Sequence, residues 1–366
     1  MEYVQERVTT LHDLAGATPE APVDRAAVVV PMTEREYAGL AAERVLSALE
    51  RVGPARVVVP LHAAERRVGA FADWLDEYDL PLTVLWCDGS RVESLLREEG
   101  LDGERGKGRD VWLALGAALA GGEEYVVFHD ADTKTYDRHY VSRLLFPLAR
   151  GHSFSKGYYA RVENGRLYGR LFRLFYAPLV RALAAEHDAA VLDYLAAFRY
   201  ALAGEFAATR DLASRLRPQR SWGLEVGTLG DAFSRAGFEG SAQVDLGAYE
   251  HDHRAVSGPT GLSDMSRQVG AALFTVIEEH GVTPDYETLP ARYVESARRF
   301  VRAYGTDAAF NGLDYPIDEE RSQVDQYAEA IVPPTEDRRL PAWTDAPIDP
   351  DEVCHLAAAD LREARE

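Results

Sequence analysis

Two cysteines in 366 residues, Cys87 and Cys354, stand far apart in the chain. That scarcity argues against a disulfide framework or a cysteine-based zinc site and fits a reducing compartment. Long apolar runs are missing too. None approaches the ~20 residues needed to cross a bilayer, and the start, Met1-Glu2-Tyr3-Val4-Gln5-Glu6-Arg7, has no basic region leading into an apolar one. The expectation is a cytoplasmic protein with no membrane span. Positive charge is also short: 60 acidic residues face 40 basic ones, for a formal net charge of -20. Binding a phosphate backbone needs clustered cations, so nucleic acid is not an expected partner. Lysine is nearly absent, with Lys107, Lys134 and Lys156 the only three. An acidic surface with so little lysine resembles proteins of salt-loving organisms, although a high-GC genome gives the same arginine bias.

What the chain does carry is an alternation of apolar runs and helical periods. Ala26-Ala27-Val28-Val29-Val30, Ala55-Arg56-Val57-Val58-Val59, Leu82-Thr83-Val84-Leu85-Trp86 and Tyr125-Val126-Val127-Phe128-His129 each read as a short buried strand. Helical spacing separates them, through Leu40 and Leu49 and again near residues 111–120. This alternation predicts an α/β fold, a mainly parallel sheet with helices on both faces. Residues 154–245 are more mixed, with a long helix near 171–185 and a strand at Ala242-Gln243-Val244-Asp245. Beyond Gly261 the pattern predicts a helical C-terminal region, with helices at 265–280 and 291–304, then a Pro- and Asp-rich surface tail capped by one short helix. The expected divisions are an N-terminal extension over 1–24, two halves over 25–150 and 151–260, and the helical region with its tail over 261–366.

In such sheets ligands sit beyond the carboxyl ends of the strands. The fourth strand ends in Asp130-Ala131-Asp132, and carboxylates at the end of a buried strand are costly unless a cation neutralises them. Residues i and i+2 of an extended segment project to the same side, so Asp130 and Asp132 can share one hard divalent ion. An ordinary strand-end turn, where Asp is common, is the competing reading. Upstream, Arg105-Gly106-Lys107-Gly108 precedes a helix. Its glycines let the backbone approach a ligand while Lys107 offers an ammonium to phosphate. The spacing is neither that of a P-loop nor that of a dinucleotide-binding turn. Together the two segments predict a nucleoside-diphosphate clamp.

A first strand followed by Pro31, a Gly-Lys-Gly turn and a strand ending in Asp-X-Asp resemble the nucleotide-sugar domain of GT-A glycosyltransferases. Downstream come Phe154-Ser155-Lys156-Gly157-Tyr158-Tyr159, Leu202-Ala203-Gly204-Glu205, Trp222-Gly223-Leu224-Glu225, Gln243-Val244-Asp245-Leu246-Gly247, His251-Asp252-His253 and Met265-Ser266-Arg267-Gln268-Val269. That ordered set resembles the glucosyl-3-phosphoglycerate synthases, and more loosely the mannosyl-3-phosphoglycerate synthases. The resemblance implies a GT-A fold and a metal-dependent, retaining transfer of a hexose from a nucleoside diphosphate sugar to a small anionic acceptor, 3-phosphoglycerate in that family. It implies that residues 25–150 bind the nucleotide sugar and 151–260 the acceptor.

The same resemblance implies the site residue by residue. Mg2+ or Mn2+ falls to Asp132 directly, with Asp130 in support and His251 as the imidazole ligand, His253 being the alternative. Pro31, Met32, Thr33 and Glu34 fall on the nucleoside pocket, and Gly106, Lys107, Asp130 and Ala131 on the rest of the donor. Glu225 and Asp132 take the catalytic positions, Glu225 in an assisting role near the acceptor hydroxyl. Arg166, Arg170, Gly204, Glu205 and His253 fall on the acceptor side. A homodimer through the C-terminal helices is also implied, and the family's products serve as compatible solutes.

Three positions depart from the family pattern. Glu34-Arg35-Glu36 replaces Asn-Glu-Glu, Pro60-Leu61-His62 replaces acidic and serine residues after the second strand, and neither Gly165-Arg166 nor Gly169-Arg170 is followed by the family's threonine. Other readings stay open: an inverting transferase with a general-base carboxylate, a nucleotidyltransferase, or a non-catalytic nucleotide-sugar-binding regulator. On residue type alone His251 and His253 read as surface-loop residues, and Glu225 equally as a buried structural acid.

Overall fold

The computed structural model describes residues 5–252 and 259–366. Its strands are β1 (Thr9–Leu11), β2 (Ala26–Val29), β3 (Met32–Thr33), β4 (Arg56–His62), β5 (Leu82–Trp86), β6 (Tyr125–Phe128), β7 (Phe154–Glu163), β8 (Arg166–Leu167), β9 (Phe206–Thr209) and β10 (Ser241–Tyr249). They join in one sheet in the order β1-β10-β7-β9-β6-β2-β4-β3, with β5 on β4 and β8 on β7. Pairs are parallel except where β9 meets β6 and β7, and where β8 meets β7. The continuous Val and Ala runs of β2, β4 and β6 are buried throughout their centres, as strands covered on both faces require. Residues 1–24, expected as an extension, supply β1, which pairs in parallel with β10.

The inverted strand β9 sets the geometry of the site. Its first residue, Phe206, pairs with Phe128 at the end of β6 and with Lys156 in β7. The start of β9 therefore lies on the rim where the parallel strands finish. Beyond that register β7 and β10 continue together, Asp245 opposite Tyr158 and Tyr249 opposite Arg161. They carry their later residues up beside the rim.

Helices Leu40–Val52, Glu65–Leu75, Ser90–Glu98 and Lys107–Gly121 follow the strands of the first half. The C-terminal region forms helices Pro259–Glu279, Leu289–Phe310 and Ile317–Ala328, then crosses back to the first half. Sequence reading makes this return a surface tail, but Leu340, Trp343 and Ile348 are buried. Trp343 stacks on Trp112 at 4.2 Å and 13°, and each indole N–H reaches the other segment's backbone, Trp112 to Pro341 O and Trp343 to Trp112 O, both at 2.8 Å. Gly116 makes room for this contact, because a Cβ there would stand 2.2 Å from the Trp343 ring. From the last helix, Pro350–Ala364, buried Asp360 accepts the Arg91 and Val92 N–H groups at 3.0 and 3.2 Å. It thereby caps helix Ser90–Glu98 from a distant part of the chain, supplying the acceptor that orphan first-turn donors require. Cys87 and Cys354 are free thiols. Among the described residues no helix is long and apolar enough to cross a membrane.

Candidate active site

A cavity of about 920 Å³ opens on the rim where β2, β4 and β6 end and β9 begins. At one end the turn after β2 supplies Pro31, Met32, Thr33 and Glu36, and β4 ends in His62. Glu34 is exposed and does not line the cavity, whereas Glu36 does. Thr33 donates through both its backbone N–H and its hydroxyl to Glu36 Oε2, at 2.6 and 2.8 Å. Burial nevertheless pushes the Glu36 carboxyl up from its ordinary range. The Thr-x-x-Glu spacing of a half capping box was the signal in the sequence that could have singled out Glu36.

In the middle of the cavity Gly106 precedes helix Lys107–Gly121, so the Lys107 backbone opens the helix and its side chain reaches Asp130 as an ion pair. Burial works against the ammonium, but Asp130, Glu225 and Glu205 together more than offset it and raise the Lys107 pKa. Gly204 is required opposite, since a Cβ there would lie 2.6 Å from Asp130 Oδ2. Asp132, two residues on, turns to a different partner, with Oδ1 3.2 Å from His251 Nδ1. Backbone bonds align the two segments: Asp252 N–H donates to Asp132 O at 2.7 Å and Lys134 N–H to Glu250 O at 2.8 Å. Burial pushes the Asp132 carboxyl up, but His251 and then Lys107 prevail and leave its pKa lowered.

A carboxylate and an imidazole converging on one wall fit a Mg2+ or Mn2+ ion. Among the described residues no third His, Cys, Asp or Glu joins them. The structure thus divides the aspartate pair, Asp130 to the lysine and Asp132 to the histidine. His253 lies outside the described residues.

Beneath the rim a buried hydrogen-bond chain supports this wall. The Thr133 hydroxyl donates to Tyr249 Oη at 2.8 Å, and Tyr249 donates to Glu205. Glu205 is buried and sits under the cavity rather than on its wall. Burial and then Asp130 push its carboxyl pKa up. Neighbouring Lys156 is also wholly buried and donates to Ala203 O at 2.7 Å. Burial pushes its ammonium down to about 8, against the pull of Glu225 and Glu205.

The segment before helix Leu224–Arg235 brings Trp222 and Glu225 to the wall. It can approach only because residue 108 is glycine: a Cβ there would fall 1.6 Å from Gln219 O, and Arg109 N–H donates to Arg220 O at 3.0 Å. At the far end of the cavity stand Arg161, Arg166, Arg170 and Tyr200. Arg166 pairs with Asp314 at 2.5 Å, and Arg170 with Glu319 and Glu320 at 3.1 and 2.6 Å. Arg161 is more deeply set, 3.4 Å from the Tyr200 hydroxyl and 3.6 Å from Glu163. Sequence reading passed over Arg161, Tyr200, Trp222 and His62 as site residues. For Arg161 the only sequence signal was the alternation Tyr159, Arg161, Glu163 along a strand.

The chain is similar to relatives named glucosyl-3-phosphoglycerate synthase. One from Methanococcoides burtonii is 34% identical, the match covering 99% of this chain and 96% of that protein. One from Persephonella marina is 34% identical, over 83% of this chain and 79% of that protein. Among solved structures the chain resembles glucosyl-3-phosphoglycerate synthase from Mycobacterium tuberculosis in complex with Mn2+, UDP and phosphoglyceric acid. That match has a TM-score of 0.55 and 26% identity over 76% of this chain and 88% of that one. The same Mycobacterium tuberculosis protein with Mn2+, UDP-glucose and phosphoglyceric acid gives a TM-score of 0.56 at 26% identity, over 76% and 89% of the two chains. No family model matches the chain.

Proposed function

Because the chain belongs to the glucosyl-3-phosphoglycerate synthases, glycosyltransferases of the GT-A fold, we propose that it moves a glucosyl unit from UDP-glucose to the hydroxyl of 3-phosphoglycerate. The anomeric configuration is retained, and Mn2+ or Mg2+ serves the diphosphate. One observation carries this reading: Lys107, Asp132 and His251 share a cavity whose far end is lined by three arginines. The first cluster suits a diphosphate, the second a small acid.

Lys107, kept charged by Asp130, binds a diphosphate oxygen and offsets the charge that grows as the glucosyl C1–O bond breaks. A divalent cation held by Asp132 and His251 supplies Lewis-acid neutralisation of the same leaving group. Arg161 offers its planar fork to the acceptor's carboxylate or phosphate, with Arg166 and Arg170 beside it. The acceptor oxygen forms the new bond to C1 on the face the diphosphate leaves, and its proton passes to an oxygen of the departing phosphate. Glu225 positions the sugar or the acceptor hydroxyl, and Glu205 braces the wall through Tyr249. The protein works in the cytoplasm, and its C-terminal helices form a homodimer, which sedimentation measures directly.

The test is incubation with Mn2+ and a panel of nucleoside diphosphate glucoses and mannoses, followed by mass analysis with 3-phosphoglycerate and other small phosphorylated acids. A glucosylated 3-phosphoglycerate is expected. Donor binding with transfer only to another acid overturns the acceptor assignment, and release of pyrophosphate points instead to nucleotidyl transfer.

A further inference from the structure

His62 ends β4 at the opposite end of the cavity from the arginines, and its side chain is 44% exposed. Its Nδ1 lies 2.9 Å from Asp88 Oδ2 and 3.9 Å from Asp110 Oδ2. Asp88 is itself fixed from behind by Arg109, which is 4% exposed and pairs with Asp88 at 2.8 Å and Asp110 at 3.0 Å. The imidazole therefore rests against a buried charge network through Nδ1, in a close ion-pair contact with Asp88 that is not an aligned hydrogen bond. Nε2 is the ring nitrogen left for a ligand. His62 and Arg105 border both the main cavity and a second one of about 430 Å³, so space continues past the ring. With the diphosphate at Lys107 and Asp132, and the acceptor toward Arg161, the base of the nucleotide falls at this end.

We propose that His62, oriented by Asp88, selects the base of the donor nucleotide: the neutral ring accepts at Nε2 from an imino N–H. Uracil carries that donor at N3 and guanine at N1, whereas cytosine N3 and adenine N1 are acceptors and leave Nε2 facing a lone pair. An unpaired polar contact of this kind discriminates more strongly than a change of shape. The inference rests on reading the cavity as a nucleotide-sugar site. It assigns the base-reading role to a residue for which the chain departs from the resemblance noted in its sequence.

The same geometry makes the selection depend on pH. The charged groups around the ring are Asp88 after β5, Asp110 and Arg109 on helix Lys107–Gly121, Arg105 before it, Glu65 at the start of helix Glu65–Leu75, and Glu93, Asp360 and Glu363 across the second cavity. The Asp88 carboxylate beside the ring outweighs burial and raises the His62 pKa above its ordinary 6.5. Below that raised value the ring is charged, Nε2 becomes a donor, and cytosine N3 is accepted. Preference for uracil therefore grows as pH rises through the His62 titration.

The experiment is calorimetric binding of UDP and CDP, each with Mn2+, at about pH 6 and about pH 8. The two ligands carry the same diphosphate, so its titration cancels in the affinity ratio. Wild type is expected to prefer UDP by roughly tenfold at the higher pH, with the ratio falling toward acid. In His62→Ala the ratio approaches unity at both pH values while Mn2+-dependent binding persists. In His62→Gln UDP binding persists without the pH dependence, and thermal melting of each variant confirms that it is folded. An unchanged UDP to CDP ratio in folded His62→Ala overturns the inference alone. Failure of the wild type to bind either nucleotide overturns the nucleotide-sugar reading on which it stands.

Discussion

Asp132 Oδ1 and His251 Nδ1 stand 3.2 Å apart although 119 residues separate them in sequence. The contact does not depend on the two side chains finding each other. Thr133 and His251 form an antiparallel bridge, and the Asp252 N–H bonds to the Asp132 carbonyl, so the backbone sets the separation. A site prepared in this way gives up little entropy when a ligand arrives.

Asp132→Ala and His251→Ala are each expected to lower kcat/KM on the order of 100-fold or more. They should also abolish the effect of Mn2+ on UDP affinity. Titrating Mn2+ while following UDP binding checks this. A variant that keeps the wild-type metal response contradicts the pairing as a metal site.

Glu320 is buried and accepts from both Arg170 and Arg173, and Arg173 is itself buried. Arg173→Met leaves a buried carboxylate with only Arg170 to answer it. The expected loss of unfolding free energy is roughly 3–5 kcal/mol, since removing one partner of a buried pair strands the other. Urea denaturation measures it. Arg173→Met with Glu320→Gln should recover much of that loss.

Gly108→Ala places a methyl against the Gln219 carbonyl. Backbone is in the way, so the segment leading to Trp222 and Glu225 must shift. The expected cost is roughly 1–3 kcal/mol, together with a weaker kcat/KM because Glu225 moves away from the cavity. Gly122→Ala serves as a contrast: no atom would lie within 4 Å of its new methyl, and only its φ of 88° is strained. That variant is expected to lose stability without the change in kcat/KM.

Lys156 gives a pH signature. Its folded pKa is about 8, against 10.5 for a free side chain. Between those values the unfolded chain binds more protons than the folded one, so stability rises with pH relative to Lys156→Met. Below about pH 8 both states are charged and the lysine's penalty is present in full, on the order of 3 kcal/mol. Unfolding curves for both proteins across this window provide the check, and parallel pH profiles contradict it.

Four strands of the first half, β2, β4, β5 and β6, were legible because each is a mainly apolar run, and the sequence reading of residues 26–30 differs by one residue from β2 as observed; the short β1 and β3 were not read. Nor were strands β7 and β9. Ser155, Lys156 and Gly157 interrupt β7, and β9 is only Phe-Ala-Ala-Thr. The burial of Lys156 depends on the Ala203 carbonyl, a partner 47 residues away that local periodicity does not encode. The helix read over 171–185 exists, but its first six residues, Leu171–Tyr176, form a wider π-type turn before Ala177–Ala184. Within the site, Asp130, Asp132 and Lys107 stood out because charge at a strand end or beside glycine is locally unusual. Arg161 and Tyr200 reach the cavity only through the order of strands, and His62 gains its orientation from residues on two other elements. Those relationships belong to the tertiary structure.

The return of the chain to the first half bears on how the molecule folds. Trp343 reaches Trp112 across 231 residues, and Asp360 reaches the N-terminus of helix Ser90–Glu98 across 269. Contacts so remote are slow to close, and the surfaces they cover stay exposed in the meantime. The helix that presents Lys107 is among the surfaces left open. The grip on a sugar nucleotide should thus mature late, as one of the last acts of folding, and an intermediate with a fully paired donor-half sheet should still bind UDP poorly.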